Sequence, residues 1–137
     1  MEKEFILIPL LVQVLLTISL YVSLAVFKKR AVASNEVDEE RRALHDDAWP
    51  EYVIKINNCI RNQFEVPVLF YVLVFSHISI NAVNTFPVIL SWLFVISRIF
   101  HAYIHTGSNY VPTRRKVFML GVGIILLLSI NLSIFLF

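Results

Sequence analysis

Asn58, Arg61, Asn62 and Glu65 fall at spacings of three and four within NNCIRNQFEVP, and Arg98, His101 and His105 repeat that spacing within RIFHAYIH. On a helix each set forms one stripe. Arg114 and Arg115 follow in PTRRK. Together they hold one carboxylate and an excess of guanidinium groups, a combination suited to an anionic ligand that carries carboxylates, because the planar guanidinium fork matches carboxylate geometry. Two other readings use the same residues. In one, Arg61 and Glu65 neutralise each other a turn apart while Arg98 snorkels or pairs with Glu65 across helices. In the other, Glu65, Arg98 and His101 mark an ion or proton pathway, the ordinary expectation for intramembrane ionisable groups. Against a pathway, only His77 and a few Ser or Asn residues continue a polar chain toward the far side.

These polar groups sit in a chain of 137 residues that is 58 % hydrophobic, a balance that excludes an ordinary soluble domain. Apolar runs over Phe5 to Phe27, Pro87 to about His105 and Val117 to Phe137 are each near the ~20 residues a spanning helix requires. A fourth run, Val66 to Ile80, is short, but nothing upstream breaks a helix as far as Glu51, and Pro50 is a good first-turn residue. The expectation is an all-α integral membrane four-helix bundle, a single domain over 1–137. Its spans lie at about 5–27, 51–80, 87–105 and 115–137, with a polar loop over 28–50 that carries a short helix around Glu39 to His45. Pro67 is expected to kink the second span, since it cannot donate to Gln63 and its ring crowds that carbonyl.

The net charge of +2 says little about partners, but the placement of Lys and Arg says more. Lys28, Lys29, Arg30, Arg41 and Arg42 lie between spans 1 and 2, Arg114, Arg115 and Lys116 between spans 3 and 4, and none in the NAVNTF turn. The positive-inside rule puts both charged loops in the cytosol and both termini outside it, with a bacterial inner membrane as the expected location. The apolar stretch before KKR is too long for a signal-peptide core and lacks a small-residue cleavage site. Arg61 to Glu65, Arg98 to His105 and Arg114 then share one depth on the cytosolic side. An Arg or Glu at the centre of a membrane helix is unfavourable by roughly 2.5–3.5 kcal/mol, so something must offset their placement.

The remaining residues carry less. With one cysteine there is no internal disulfide, and Cys59 reads as a small packing residue. No metal site, phosphate loop or nucleic-acid motif is present. Gly121 and Gly123 read as a close helix approach. Gln13, with Thr17 four residues on, is expected to hydrogen-bond between helices of an oligomer, and His77 and Asn81 to be interfacial groups at the outer end of span 2.

RNQFEVP in the second span, RIFHAYIH in the third and PTRR before the fourth, in that order in a four-span chain, resemble the MAPEG family, the membrane-associated proteins in eicosanoid and glutathione metabolism. The resemblance runs over essentially the whole chain. It implies a homotrimer of left-handed four-helix bundles that binds glutathione as co-substrate at subunit interfaces near the cytosolic side. It implies further that Arg61, Asn62 and Glu65 hold the tripeptide's carboxylates and amino group, with Asn58, Arg98, His101 and His105 in the polar wall. Arg114, or its neighbour Arg115, would stabilise the thiolate. A free thiol has a pKa near ~8.5 and an adjacent guanidinium lowers it.

The implied activity is that of a glutathione-dependent transferase or peroxidase acting on lipophilic electrophiles or hydroperoxides that arrive from membrane lipid. The competing expectation is a protein of this fold without conjugating activity that binds a lipid or a protein partner. Three positions depart from the family pattern: His105 and Phe118 stand where tyrosines occur, and Asn58 where an arginine is common. Each lost hydrogen bond would weaken glutathione binding by about 1 kcal/mol.

Overall fold

The computed structural model describes residues 3–137, and they are helical with no strand among them. Five helices follow in order: α1 (Glu4–Ala33), α2 (Glu51–Gln63), α3 (Val66–Ser79), α4 (Thr85–Thr106) and α5 (Val111–Leu136). They make four rods, because α2 and α3 lie end to end. The second span is therefore two helices and not one kinked helix over 51–80. Phe64 and Glu65 close α2 with short bonds to Arg61 O and Asn62 O, at 3.1 and 3.4 Å. Glu65, at φ −101° and ψ −108°, then leaves helical geometry before α3 starts. The cause is Pro67 in the first turn of α3, where a missing N–H is tolerated as it is not in mid-helix. Glu65 consequently stands at a junction, outside the helical stripe that carries Arg61 and Asn62.

α1, α4 and α5 are each long and apolar enough to cross a membrane. At 30 residues, α1 extends roughly 45 Å, beyond the ~30 Å hydrocarbon core, which leaves Lys28 to Arg30 past its edge. The protein is an integral membrane bundle whose outer surface exposes residues such as Leu11, Leu15, Leu69, Val72, Leu120 and Leu126. Inside, α4 packs against α5 and α1, and α3 against α5. One apolar cluster joins Ile6, Leu10, Phe70, Val74, Phe94 and Leu128, with the Phe70 and Phe94 rings stacked 4.6 Å apart. A smaller cluster of Leu20, Ile56, Cys59, Ile60 and Ala102 lies toward the charged loops.

Between the clusters runs a polar layer. Gln13 Nε2 donates to Gln63 Oε1 at 2.9 Å, and Gln63 Nε2 donates to the Cys59 carbonyl at 3.2 Å. Gln13 thus bonds between helices as expected, tying α1 to α2 within one chain, while Thr17 Oγ1 donates to the Gln13 carbonyl of its own helix at 3.3 Å. His77 is not interfacial. It is fully buried, with Nδ1 2.8 Å from Leu73 O and Nε2 3.1 Å from Asn131 Oδ1.

Three turns rest on asparagine. Asn35, Asn81 and Asn109 have φ of 55°, 59° and 53° and follow the ends of α1, α3 and α4. Asparagine is the side chain that, after glycine, most readily takes the left-handed conformation a helix stop requires.

The loop after α1 holds no helix over Glu39 to His45. Those residues form turns closed by Arg42 N–H to Asp38 O and His45 N–H to Arg41 O, both 3.0 Å, and the regular piece is a single 3₁₀ turn at Asp46–Ala48. A seven-residue helix is marginal by itself. Here Arg41 is drawn onto Asp47 through two bonds of 3.0 and 2.9 Å, and Asp38 N–H onto Ala48 O, which closes the loop instead. The Arg41 hydrogen bond holds the Asp47 carboxyl below its usual range. That contribution is present above the ordinary carboxylate pKa and fades as pH falls through the lowered value.

Of the two glycines in α5, only Gly121 marks a close approach. A Cβ there would meet Ser97 Oγ at 3.4 Å and the Phe94 ring at 3.7 Å, whereas Gly123 faces no heavy atom within 4 Å. Gly121→Leu is expected to overpack the α4–α5 seam by about 1–3 kcal/mol and lower the unfolding temperature in detergent, with Gly123→Leu close to wild type. Thermal unfolding of the pair measures the difference.

Candidate functional site

The i, i+3, i+7 stripe on α4 faces inward. Arg98, His101 and His105 are 1 %, 2 % and 5 % exposed. All three guanidinium nitrogens of Arg98 are buried without a hydrogen-bond partner among the described residues, and so are the Nδ1 atoms of His101 and His105. Phe118 of α5 lies across them, its ring 5.8 Å from the Arg98 guanidinium carbon and 5.8 Å from the His101 ring. His101 and His105 stand 5.5 Å apart, ring centre to ring centre. Buried polar groups are nearly always paired, and an unpaired buried charge is the most costly exception. No carboxylate pairs with Arg98 among the described residues.

Above this layer a cleft of about 290 Å³ opens between the α2–α3 junction and the α4–α5 turn. Its walls are Asn62, Glu65, His101, Val111, Arg114, Arg115 and Phe118. That volume falls at the small end of ligand pockets, which run from ~300 to 1,000 Å³. The break before Pro67 puts Glu65 on the rim. α5 begins at Val111, so Arg114 and Arg115 occupy its first turns, where the positive end of the helix dipole adds to their charge. The Arg114 guanidinium donates from Nη1 to the side-chain oxygen of Asn109 in the preceding turn. The rim offers two guanidinium groups against one carboxylate, with a third guanidinium beneath. Such a pocket can hold a small anion that also presents an amino group, and can favour a thiolate over a thiol.

Of the candidates from the sequence, Asn62, Glu65, His101, Arg114 and Arg115 line the cleft together. Arg98 and His105 are buried on the α4 stripe that His101 carries to the wall. Two stand apart. Asn58 is exposed and absent from the cleft lining. Arg61 points into the loop, where Nη2 donates to Asp46 Oδ2 in the 3₁₀ turn. Arg61 and Glu65 therefore do not neutralise each other, because the break turns Glu65 away and Asp46 takes its place. Glu65 does not pair with Arg98 either.

Three partners were missed from the sequence. Asp46 reaches Arg61 across fifteen positions, most of them in α2, and Gln63 meets Gln13 across fifty; neither has a local signal. Asn109 did have one, as the turn-forming residue of GSNYVP immediately before a helix.

Among comparisons with known proteins, a family model described as the MAPEG family matches residues 6–134, nearly the entire chain. No curated protein matches, and no solved structure matches.

Proposed function

The chain belongs to the MAPEG family, and from that premise we propose that it is a glutathione-dependent transferase or peroxidase acting on lipophilic electrophiles or hydroperoxides. The observation that carries the reading is Arg98, a fully buried cation with no counter-ion among the described residues, set behind a cleft whose rim holds Arg114, Arg115 and a single carboxylate. A site built this way is incomplete without an anion. Glutathione supplies two carboxylates, one ammonium and a thiol.

In this proposal Glu65 takes the ammonium and Asn62 hydrogen-bonds the peptide backbone. Arg115 and the buried Arg98 take carboxylates, with His101 in the wall between them. Arg114 stands against the sulfur and stabilises the thiolate. The thiolate lone pair forms a carbon–sulfur bond to the electrophile while the leaving group departs with its electron pair. Toward a hydroperoxide it attacks the distal oxygen, the O–O bond breaks and the alkoxide leaves with its electron pair to be protonated to the alcohol, and a second glutathione thiol then displaces water from the resulting sulfenic acid to give the disulfide.

Lipophilic substrates would arrive laterally from the bilayer, since the α4–α5 seam beside the site is apolar and exposed. We place the charged loops and the cleft on the cytosolic side of a bacterial inner membrane, with both termini outside the cytosol, and the working unit as a homotrimer. A second reading, a binding protein of this fold without conjugating activity, draws on Asn58 and Arg61, which both lie outside the cleft. The two are separated by heating the detergent-solubilised protein with glutathione. The enzyme reading predicts an unfolding temperature that keeps rising with the logarithm of glutathione concentration above Kd, ~2.7 kcal/mol at a hundredfold excess over Kd. A binding protein for another partner predicts no response.

A further inference from the structure

We propose that Asn109 is a positioning residue that aims Arg114 into the cleft, a role that rests on the glutathione reading above. α4 ends at Thr106 and α5 starts at Val111, so four residues reverse the chain. Asn109 is fixed within that turn. Its φ is 53°, and its N–H donates to the Ile104 carbonyl at 2.7 Å, a bond that closes the end of α4. From this anchored backbone its side-chain oxygen accepts Nη1 of Arg114. Arg114 is held at its other end by α5, through its N–H to Tyr110 O at 3.0 Å.

A guanidinium group is planar, so one bond at Nη1 sets the orientation of the remaining donors. The chemistry of the acceptor matters as much as its position. A carboxylate here would orient Arg114 equally well but would cancel the charge that stabilises a thiolate, whereas the neutral amide orients it and leaves the charge intact. Arg115 also lines the cleft but has no side-chain partner among the described residues. Of the two adjacent arginines, the structure anchors Arg114.

The test uses two substitutions in the full chain. Asn109→Gly keeps the left-handed turn and deletes the acceptor. Asn109→Asp keeps the shape and adds a carboxylate. Titrating the ultraviolet absorbance of glutathione thiolate against pH, Asn109→Asp is expected to raise the apparent thiol pKa by about one unit, a roughly tenfold loss of thiolate at pH below it. Asn109→Gly is expected to raise it less, while glutathione-induced thermal stabilisation, read at pH below the bound thiol pKa, stays near wild type in both. A merely structural turn residue would leave the thiol pKa of Asn109→Gly at the wild-type value, and that result overturns the proposal.

A second readout needs no glutathione. Modification of arginine by phenylglyoxal, followed by peptide mass, is expected to be several-fold slower at Arg114 than at Arg115, and Asn109→Gly is expected to abolish the difference. Equal rates in wild type overturn the anchoring itself. A wild type that forms no thiolate, yet protects Arg114 in this way, upholds the anchor and overturns the glutathione reading alone.

Discussion

Arg114→Ala is expected to abolish the thiolate of bound glutathione and to lower turnover by about 10²–10³-fold, the range found when one preorganised electrostatic donor is removed from an active site. Arg114 is half-buried in the first turn of α5, lines the cleft and is held by Asn109. Its charge is unspent, because the partner that orients it is neutral. Thiolate formation depends on stabilising the anion relative to the thiol, and each tenfold change in thiolate fraction below the pKa corresponds to about 1.4 kcal/mol. Arg115→Ala, which removes an exposed neighbour without a side-chain partner among the described residues, is expected to weaken glutathione binding more than thiolate formation. Spectra of the two variants at saturating glutathione, followed by turnover with an electrophile, measure the contrast.

Arg98→Met is expected to stabilise the ligand-free protein and at the same time to eliminate its response to glutathione. Arg98 is 1 % exposed with every guanidinium nitrogen unpaired among the described residues. Replacing a buried ion by an apolar side chain of similar volume is commonly neutral or stabilising by about 1–4 kcal/mol. Methionine can follow the same path beside the Phe118 ring. The ligand-bound state changes in the opposite direction, because losing one partner of a buried charge pair weakens binding by about 2–5 kcal/mol. Unfolding temperatures with and without glutathione report both effects in one experiment. A structural Arg98, satisfied within the fold, would instead make the variant less stable and leave any ligand response unchanged.

Much of the architecture was legible because membrane helices announce themselves by length and by the absence of charge. α1, α4 and α5 could be read from apolar runs, and the inward face of α4 from the spacing of Arg98, His101 and His105, which survives folding unchanged. The second span was less transparent. Pro67 signalled a disturbance, but sequence alone does not say whether a proline bends a helix or restarts one. The restart moved Glu65 off the stripe it shared with Arg61 and Asn62. Contacts across long separations were not legible at all: the Asp46 partner of Arg61 depends on how the loop closes through Arg41 and Asp47, and Gln13 meets Gln63 only because α1 packs on α2. The cleft itself required both the α2–α3 break and the α4–α5 turn. Asn109 carried a turn signal whose consequence for Arg114 appears only when the side chains are placed.

Whether the cleft ionises glutathione is read from the ultraviolet difference spectrum of the wild-type protein in detergent, at neutral pH, as glutathione is added. A saturable thiolate band is expected, which an S-alkylated glutathione, unable to ionise at sulfur, displaces. A spectrum with no thiolate band at saturating glutathione would contradict the glutathione reading.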